Sequence, residues 1–182
     1  YINTRATPLF NKSELLFNYH KAKSFARNYE MIVVEGYMDV IALHRAGFTN
    51  AVAALGTAFT DQHAMLIKRY VKEVVLTFDS DGAGRKAALR AIPILKRAGI
   101  AMKVLDMTPY KDPDEFIKNL GADEYQKRID NAMNSFIFEI KMMREQYDLD
   151  DPHAKAEFYN NVANKLLEFP DELERNVYIE AV

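Results

Sequence analysis

The stretch VVLTFDSDGAG, residues 74–84, decides the fold of this chain. Its apolar part, residues 74–78, is rich in β-branched residues without polar alternation, which predicts a strand buried on both faces. Two aspartates, Asp79 and Asp81, follow the strand directly, and the glycines after them give the chain freedom to turn. An amphipathic segment at residues 83–98 ends at Gly99, which predicts a helix with a glycine stop.

The same succession of short apolar runs and amphipathic segments recurs on both sides of this stretch. Three further apolar runs predict buried strands: residues 31–34, 51–55 and 102–105. Two segments between them have helical periodicity: residues 38–46, with Gly47 as the stop, and 60–70. Strands that alternate with crossover helices predict an α/β fold, Rossmann-like, with a mainly parallel sheet flanked by helices.

The regions before and after these repeats are predicted to be helical. A helix is expected from Ser13, as its capping residue, to Asn28. Beyond Gly121 four segments have helical periodicity: residues 122–131, 135–147, 152–168 and 171 onward. We therefore expect three parts, which are an N-terminal segment (residues 1–30), an α/β domain (31–120) and a C-terminal helical subdomain (121–182).

Composition excludes several classes of protein. The 182 residues carry 24 Lys and Arg against 26 Asp and Glu, so the net charge of -2 gives no global attraction to nucleic acid. The chain has no cysteine, which excludes disulfides, cysteine zinc sites and thiol nucleophiles. Its apolar runs are far shorter than the ~18 residues of a membrane span, so we expect a soluble protein. The start at Tyr1 and the end at Val182 inside a helical pattern lead us to expect an excised fragment.

Acidic clusters follow three of the apolar runs: Glu35 with Asp39, Asp79 with Asp81, and Asp112 with Asp114. Ligands of doubly wound sheets bind beyond the carboxyl ends of the strands, where Glu35 and Asp79 are expected. Carboxylates in one cleft repel one another, so their collection implies a cation. Hard oxygen ligands favour Mg²⁺ or Mn²⁺.

Helix capping is the alternative for each aspartate taken alone, as for Asp112 before Pro113 or Asp79 before Ala83. Capping needs one aspartate per helix, whereas this sequence places pairs after successive strands, which favours a metal site. The histidines have no metal-ligand spacing and are expected to be structural or on the surface: His20, His44, His63 and His153.

Four strings resemble the bacterial DnaG-type replicative DNA primases: VEGYMDV (34–40), ALGT (54–57), FDSDGAG (78–84) and KDPDE (111–115). The strings YIN (1–3) and LFNK (9–12) resemble the segment that precedes the Toprim domain of that family. EGYMDV is specific to primases, whereas a glutamate with an Asp-x-Asp pair alone is shared by other Toprim proteins. The resemblance covers residues 1 to about 120 clearly and implies a Toprim fold followed by a helical subdomain.

The resemblance implies a cytoplasmic DNA-directed RNA polymerase, which makes short RNA primers on single-stranded DNA from ribonucleoside triphosphates with Mg²⁺ or Mn²⁺. By matching position, Glu35, Asp79 and Asp81 would be catalytic. The metal ligands would be these three together with further carboxylates: Asp39, Asp112 and Asp114. Nucleotide or phosphate contacts would come from Lys12, Arg85 and Lys86, of which the last two lie at a helix N-terminus.

The resemblance also sets limits on the expected activity. The family's zinc-binding module, the basic half of its polymerase core and its helicase-binding tail are expected to have no counterpart here. Helicase contact and zinc are therefore expected only in regions outside this chain, and unaided primer synthesis is expected to be weak. The alternatives are another Toprim enzyme, such as a nuclease or topoisomerase, and a metal-binding recombination module without catalysis. Tyr37 could serve as a strand-cleaving nucleophile, but its place at a helix start favours packing.

Overall fold

The computed structural model describes residues 7, 10–26 and 30–182. The chain divides into two compact units, of which the first ends at Met133 and the second runs from Asn134 to Val182. Residues 1–6 of the expected N-terminal segment, and the end of the helix expected to reach Asn28, lie outside the described residues.

The first unit is built on a sheet with the strand order β1-β3-β2-β4-β5-β6. The strands are β1 (Leu16–Phe17), β2 (Glu30–Val34), β3 (Ala51–Ala54), β4 (Glu73–Thr77), β5 (Ala101–Val104) and β6 (Met133–Asn134). β3, β2, β4 and β5 pair in parallel, and the register places Val34 beside Thr77. The four expected strands and the mainly parallel α/β sheet are confirmed, and β2 and β4 end at the same level.

Helices connect the strands and form the second unit. They are α1 (Tyr19–Phe25), α2 (Tyr37–Arg45), α3 (Asp61–Lys68), α4 (Gly82–Ala98), α5 (Pro113–Asp130), α6 (Ser135–Arg144), α7 (Pro152–Leu166) and α8 (Glu172–Ala181), with a 3₁₀ turn at Lys12–Glu14. Gly99 ends α4 with a φ of 71°, so the predicted glycine stop is confirmed. The three crossover helices expected between the strands correspond to α2, α3 and α4.

The central strands are buried on both faces. Ile32 and Val34 of β2 pack in a core cluster with Leu43 of α2 and Phe116 of α5. Successive strand residues point to opposite faces, and Val33, which lies between Ile32 and Val34, is also fully buried. Helices must therefore cover both faces of the sheet, which explains the continuous apolar runs of the sequence.

The helix expected from Ser13 is wrong in its first part. Leu16 and Phe17 instead form β1, which pairs antiparallel with β3 and places Leu16 opposite Ala54. The helix begins only at Tyr19. A partner strand that lies far along the chain outweighs local helical periodicity here, because pairing satisfies the backbone groups of β3 at this edge.

His63 ties the 3₁₀ turn to α3. Its Nδ1 accepts a hydrogen bond from the Thr60 N–H at 3.2 Å, so Nε2 carries the proton and donates to the Lys12 carbonyl oxygen at 2.8 Å. Burial lowers the pKa of His63, which keeps the imidazole neutral. The structural role expected for this histidine is confirmed.

α5 crosses the domain boundary expected at residue 120. The helix breaks at Gly121, which has a φ of 82°, and then continues to Asp130. Tyr125 and Ile129, which follow the break, belong to the core of the first unit. The compact unit therefore ends at Met133, later than expected.

The second unit consists of α6, α7 and α8. Its core contains Phe136, Phe158 and Phe169, and Lys165 of α7 forms an ion pair with Glu139 of α6 at 2.9 Å. The expected helical C-terminal part is confirmed. Among the described residues, no helix combines the length and the apolar character that a membrane crossing requires.

Candidate metal and nucleotide site

Glu35 and Asp79 lie side by side at the carboxyl edge of the sheet. Glu35 follows β2 and Asp79 comes shortly after β4, and these strands are neighbours with aligned ends. The Glu35 carboxylate accepts a hydrogen bond from the Asp79 N–H at 3.2 Å. The predicted location of both residues beyond the strand ends is confirmed.

Asp39 lies in the first turn of α2 and is only 8% exposed. Its Oδ2 accepts the Gly36 N–H at 3.1 Å. Burial, followed by the charges of Asp112 and Asp79, raises the pKa of Asp39 to about 6. Burial and two neighbouring negative charges destabilise the ionised carboxylate of Asp39, and a bound cation would offset this destabilisation.

The pKa values of two further carboxylates are raised by charges of the same group of residues. Burial, and then the charge of Asp79, raises the pKa of Glu35. Burial also raises the pKa of Asp79, against the opposing charge of Lys111 and with further increase from Asp112. We call Glu35, Asp39, Asp79 and Asp112 the carboxylate cluster, because their charges act on one another across four elements of the fold.

Asp81 and not Asp79 caps α4. Asp81 Oδ1 accepts the Ala83 N–H at 2.9 Å and the Gly84 N–H at 2.8 Å. These bonds, with that of Gly84 the larger cause, lower the pKa of Asp81, whose side chain is exposed. The capping alternative therefore holds for Asp81, and it occupies one of the two carboxylate oxygens.

Gly84 allows α4 to approach the loop after β4. A Cβ at Gly84 would lie 2.1 Å from the Asp79 carbonyl oxygen, whereas a Cβ at Gly82 would meet nothing within 4 Å. Neither glycine has a positive φ. The expectation that both glycines serve a turn is therefore wrong for Gly84, whose role is close packing.

Asp112 and Asp114 stand at the start of α5. Asp112 Oδ1 caps the helix by accepting the Glu115 N–H at 2.8 Å, and Asp114 pairs with Lys118 one turn later. Both charges nevertheless contribute to the raised pKa of Asp39. Asp112 therefore both caps α5 and acts on the charge of Asp39, and Asp114 acts on Asp39 while it pairs with Lys118.

The carboxylate cluster has the chemistry of a divalent-metal site without a formed coordination shell. Among the described residues, no three carboxylate or imidazole groups converge on one point. Backbone hydrogen bonds occupy one oxygen each of Glu35, Asp39 and Asp112. An all-oxygen donor set with excess negative charge suits a hard divalent cation, so the residues present fit the metal that the sequence predicted.

The basic residues that lower the pKa values of the acidic residues are not the three expected to contact the nucleotide. Lys12 is held through its backbone carbonyl by His63, and Arg85 and Lys86 are exposed on the first turns of α4. The cations that lower carboxylate pKa values are instead Lys111, acting on Asp79 and Asp81, and Arg90, acting on Glu35.

Both Lys111 and Arg90 could have been identified from the sequence. Lys111 directly precedes the acidic pair that begins at Asp112. Arg90 shares the face of α4 that carries Ala83 and Ala87, at the helical spacing i, i+4 and i+7, and all three line one cavity beside Glu35.

Two parts of the chain match known protein families. Residues 32–117 match the family described as Toprim-like, and residues 136–182 match the DnaB-helicase binding domain of primase. The second match corrects the expectation that the helicase-binding part of the family has no counterpart here. The sequence signal was missed because apolar helical periodicity does not distinguish a packed core from a binding surface.

Curated relatives with similar sequences are DNA primases. That of Clostridium acetobutylicum is 35% identical over 182 residues, which are 100% of this chain and 30% of the relative. That of Helicobacter pylori is 40% identical over 156 residues, which are 85% of this chain and 28% of the relative. The chain thus spans less than a third of these relatives.

Solved primase structures have the same fold. The DnaG primase catalytic domain bound to ssDNA matches with a TM-score of 0.83 and 30% identity, over 100% of this chain and 59% of that one. The Aquifex aeolicus primase, with its zinc-binding and RNA polymerase domains, matches with a TM-score of 0.78 and 35% identity, over 97% of this chain and 42% of that one. Taken together with the EGYMDV string and the carboxylates at the sheet edge, these similarities show that the chain belongs to the family of bacterial DnaG-type DNA primases.

Proposed function

We propose that this chain supplies the metal-binding carboxylates of a bacterial primase, which joins ribonucleotides into a short RNA primer on single-stranded DNA. The observation that carries the proposal is the carboxylate cluster at the edge of the sheet, in which burial and then neighbouring carboxylate charges raise the pKa values of Glu35, Asp39 and Asp79. The names of the relatives and the ssDNA in one matching structure support the reaction and the template.

Each acidic residue has a role that its surroundings support. Asp39, Asp79 and Asp112 supply oxygens for Mg²⁺ or Mn²⁺, and Asp81 and Asp114 offer the oxygens that their helix contacts leave. Bound metal would activate the primer 3′-hydroxyl and offset the charge on the transferred phosphate. Glu35 is a metal ligand or the general base, because its raised pKa makes it a stronger base than an ordinary glutamate.

Phosphate contacts come from cations around the cluster. Arg85 and Lys86 lie at the N-terminus of α4, where the backbone N–H groups and the helix dipole favour anions. Lys12 is exposed in part and remains a candidate for the nucleotide. Residues 1–182 span less than a third of the length of these relatives, and we expect this stretch by itself to bind metal and to synthesise primers only weakly.

Calorimetric titration of Mg²⁺ and Mn²⁺, with and without a ribonucleoside triphosphate, tests this function. The double substitution Asp79→Asn, Asp81→Asn should abolish metal binding and its enhancement by nucleotide. Asp61→Asn is the matched control, since Asp61 is exposed and pairs with Arg97 on another part of the unit. Metal binding that persists unchanged in the double variant would refute the proposal.

The other Toprim functions make different predictions. A nuclease or topoisomerase would nick DNA in a metal-dependent way, and a non-catalytic module would bind metal without any affinity for nucleotide. Tyr37 packs edge-on against Phe17, with ring centroids 5.9 Å apart, which supports the packing role rather than that of a nucleophile. A nicking assay with Tyr37→Phe separates these cases.

The replicative helicase is the partner that residues 136–182 suggest, given the family they match. α8 presents apolar side chains to solvent, with Leu173 77% and Val177 65% exposed. These residues are one helical turn apart and share a face. Val177→Asp should weaken binding of a DnaB-type helicase in fluorescence anisotropy, whereas Lys155→Gln on α7 should not; equal affinities would argue against this surface.

A further inference from the structure

A small cavity opens on the flank of the first unit, where β1 and the start of α1 meet α2. None of the described residues of the carboxylate cluster lines it. Its volume is about 210 Å³. This is below the roughly 300–1,000 Å³ typical of small-molecule sites, so the cavity suits one apolar side chain better than a base with its ribose.

Three apolar side chains form part of the cavity lining: Phe17, Val40 and Ile41. Val40 is buried in the core, whereas Ile41 is 41% exposed. Phe17 is fixed by its strand pairing with Ala53 and by an edge-on contact with Tyr37, with ring centroids 5.9 Å apart. The apolar surface is therefore held in place and open to solvent, and covering it with an apolar group is favourable.

Among the described residues, every ionisable side chain of the lining is basic. Lys21 lies on α1, and His44 and Arg45 lie on α2, three and four residues after Ile41 and on the same helix face. No ion pair of the described residues involves any of these three side chains. Lys21 and Arg45 are cations, and His44 adds a ring N–H donor. This cavity therefore attracts an anion, whereas the carboxylate cluster attracts a cation.

Asn18 fixes the position of α1 and with it that of Lys21. Its side-chain Nδ2 donates to the Ala51 carbonyl oxygen at 3.0 Å, and its own carbonyl oxygen accepts the Lys21 N–H at 3.0 Å. Asn18 has a φ of 63°, a left-handed conformation that asparagine adopts more readily than most residues. Because α1 is anchored to the sheet in this way, less backbone freedom is lost when a ligand binds at Lys21.

We propose that this cavity binds an acidic peptide segment of a partner protein. One apolar side chain of the segment fills the cavity, and carboxylates on either side of it contact Lys21, His44 and Arg45. An apolar anchor surrounded by charged contacts is a common arrangement in protein interfaces, and guanidinium groups pair well with carboxylates. Nucleic acid satisfies the charge of the cavity but not its size. The site lies in the first unit, so it is distinct from the α8 surface proposed for the helicase.

Fluorescence anisotropy with three labelled pentapeptides tests the proposal. The probe is DDDDL with an amidated C-terminus, DDDDS lacks the apolar group, and SSSSL lacks the charge. Binding is measured in EDTA, so the result does not depend on the proposed metal site. The wild type should bind DDDDL roughly tenfold more tightly than either of the other peptides, which is the gain expected from burying one leucine side chain or from pairing several charges.

Two variants separate the apolar contact from the charged contacts. Lys21→Gln with Arg45→Gln should weaken binding of DDDDL roughly tenfold and remove most of its dependence on salt. Ile41→Ala should weaken binding of DDDDL about threefold to tenfold and leave that of DDDDS unchanged. Arg144→Gln with Lys155→Gln is the matched control, since it removes the same charge from exposed positions of the second unit and should change neither affinity. Circular dichroism confirms that each variant is folded.

Equal wild-type affinities for DDDDL and DDDDS would show only a general attraction of anions and would overturn the proposal. Unchanged binding of DDDDL in the Lys21→Gln, Arg45→Gln variant would overturn it as well. If a labelled oligothymidylate pentamer binds more tightly than DDDDL and loses this affinity in the same variant, the cavity belongs to nucleic acid and not to a peptide. NMR of the wild type needs no variant: the leucine methyl protons of DDDDL should give intermolecular NOEs to the Phe17 ring and the Ile41 methyl groups, and NOEs only to other residues would contradict the site.

Discussion

Substitution of Gly84 by alanine should damage both the fold and the metal site. The new Cβ would lie 2.1 Å from the Asp79 carbonyl oxygen and 2.8 Å from the Asp79 carbonyl carbon and nitrogen. Since non-bonded heavy atoms prefer roughly 3.5–4 Å, the backbone of Asp79 or of α4 must move by about 1 Å or more. Overpacking costs about 1–3 kcal/mol, and the higher helix propensity of alanine offsets up to about 1 kcal/mol.

The loop around Asp79 has little freedom to yield, because hydrogen bonds from Asp79 N–H to Glu35 and from Ser80 N–H to the Lys111 carbonyl fix it. We therefore expect a net loss of about 2 kcal/mol. Urea denaturation followed by circular dichroism measures this loss, and a Mn²⁺ titration measures the accompanying fall in metal affinity.

Gly82→Ala is the matched control, since it changes the same helix where a Cβ meets nothing within 4 Å. It should be neutral or stabilise by up to about 1 kcal/mol. If the two variants differ in stability by less than about 0.5 kcal/mol, or if Gly84→Ala binds Mn²⁺ as tightly as wild type, the close approach of α4 to Asp79 does not have the role described.

Three further predictions concern single side chains. Asp39→Asn should stabilise the metal-free protein by roughly 2–3 kcal/mol at pH 7, because the raised folded pKa of Asp39 penalises its charged form. The gain in stability should fade as the pH drops from 6 to 4. Equal gains in urea denaturation at pH 7 and at pH 4 would contradict this prediction. Lys111→Met should raise the Mn²⁺ affinity measured by calorimetry about two- to tenfold, because it removes a cation near Asp79. Lys127→Met is the control, since it breaks a distant ion pair and should not change this affinity. Equal affinities in both variants would exclude an electrostatic role for Lys111. Tyr125→Phe should leave stability unchanged or raise it by up to about 1 kcal/mol, because the buried Tyr125 and Thr77 hydroxyls face each other without a proper hydrogen bond. A clear loss of stability in thermal denaturation would show that the two hydroxyls do form a hydrogen bond.

Local sequence patterns predicted the central sheet because they follow directly from burial. β2, β3 and β4 are buried on both faces, and this requires the continuous apolar runs by which they were recognised. In β5 only Met102 and Val104 are buried, and Lys103 between them is half-buried. Pairing of β1 with β3 could not be foreseen, since antiparallel contact between Phe17 and Ala53 depends on residues far apart along the chain.

The candidate site was predictable in its residue types and less so in its geometry. The placement of Glu35 and Asp79 follows from parallel strands that end together. Which aspartate caps α4 depends on backbone angles, so the sequence pattern led to Asp79 as the capping candidate, whereas Asp81 is the cap in the structure. The contribution of Lys111 depends on how the loop after β5 folds back toward β4, a tertiary feature without local pattern.

The hydrogen bond between the Ser80 N–H and the Lys111 carbonyl oxygen, at 2.9 Å, joins the two acidic loops through main-chain atoms alone. Because no side chain takes part, only a proline at position 80 would remove the donor itself. Natural variation can therefore exchange Ser80 or Lys111, and with them the local charge, while the spacing between the acids of one loop and those of the other stays the same. Substitutions at positions 80 and 111 can therefore change how strongly this edge of the sheet attracts cations and phosphates without changing the distance between the two loops.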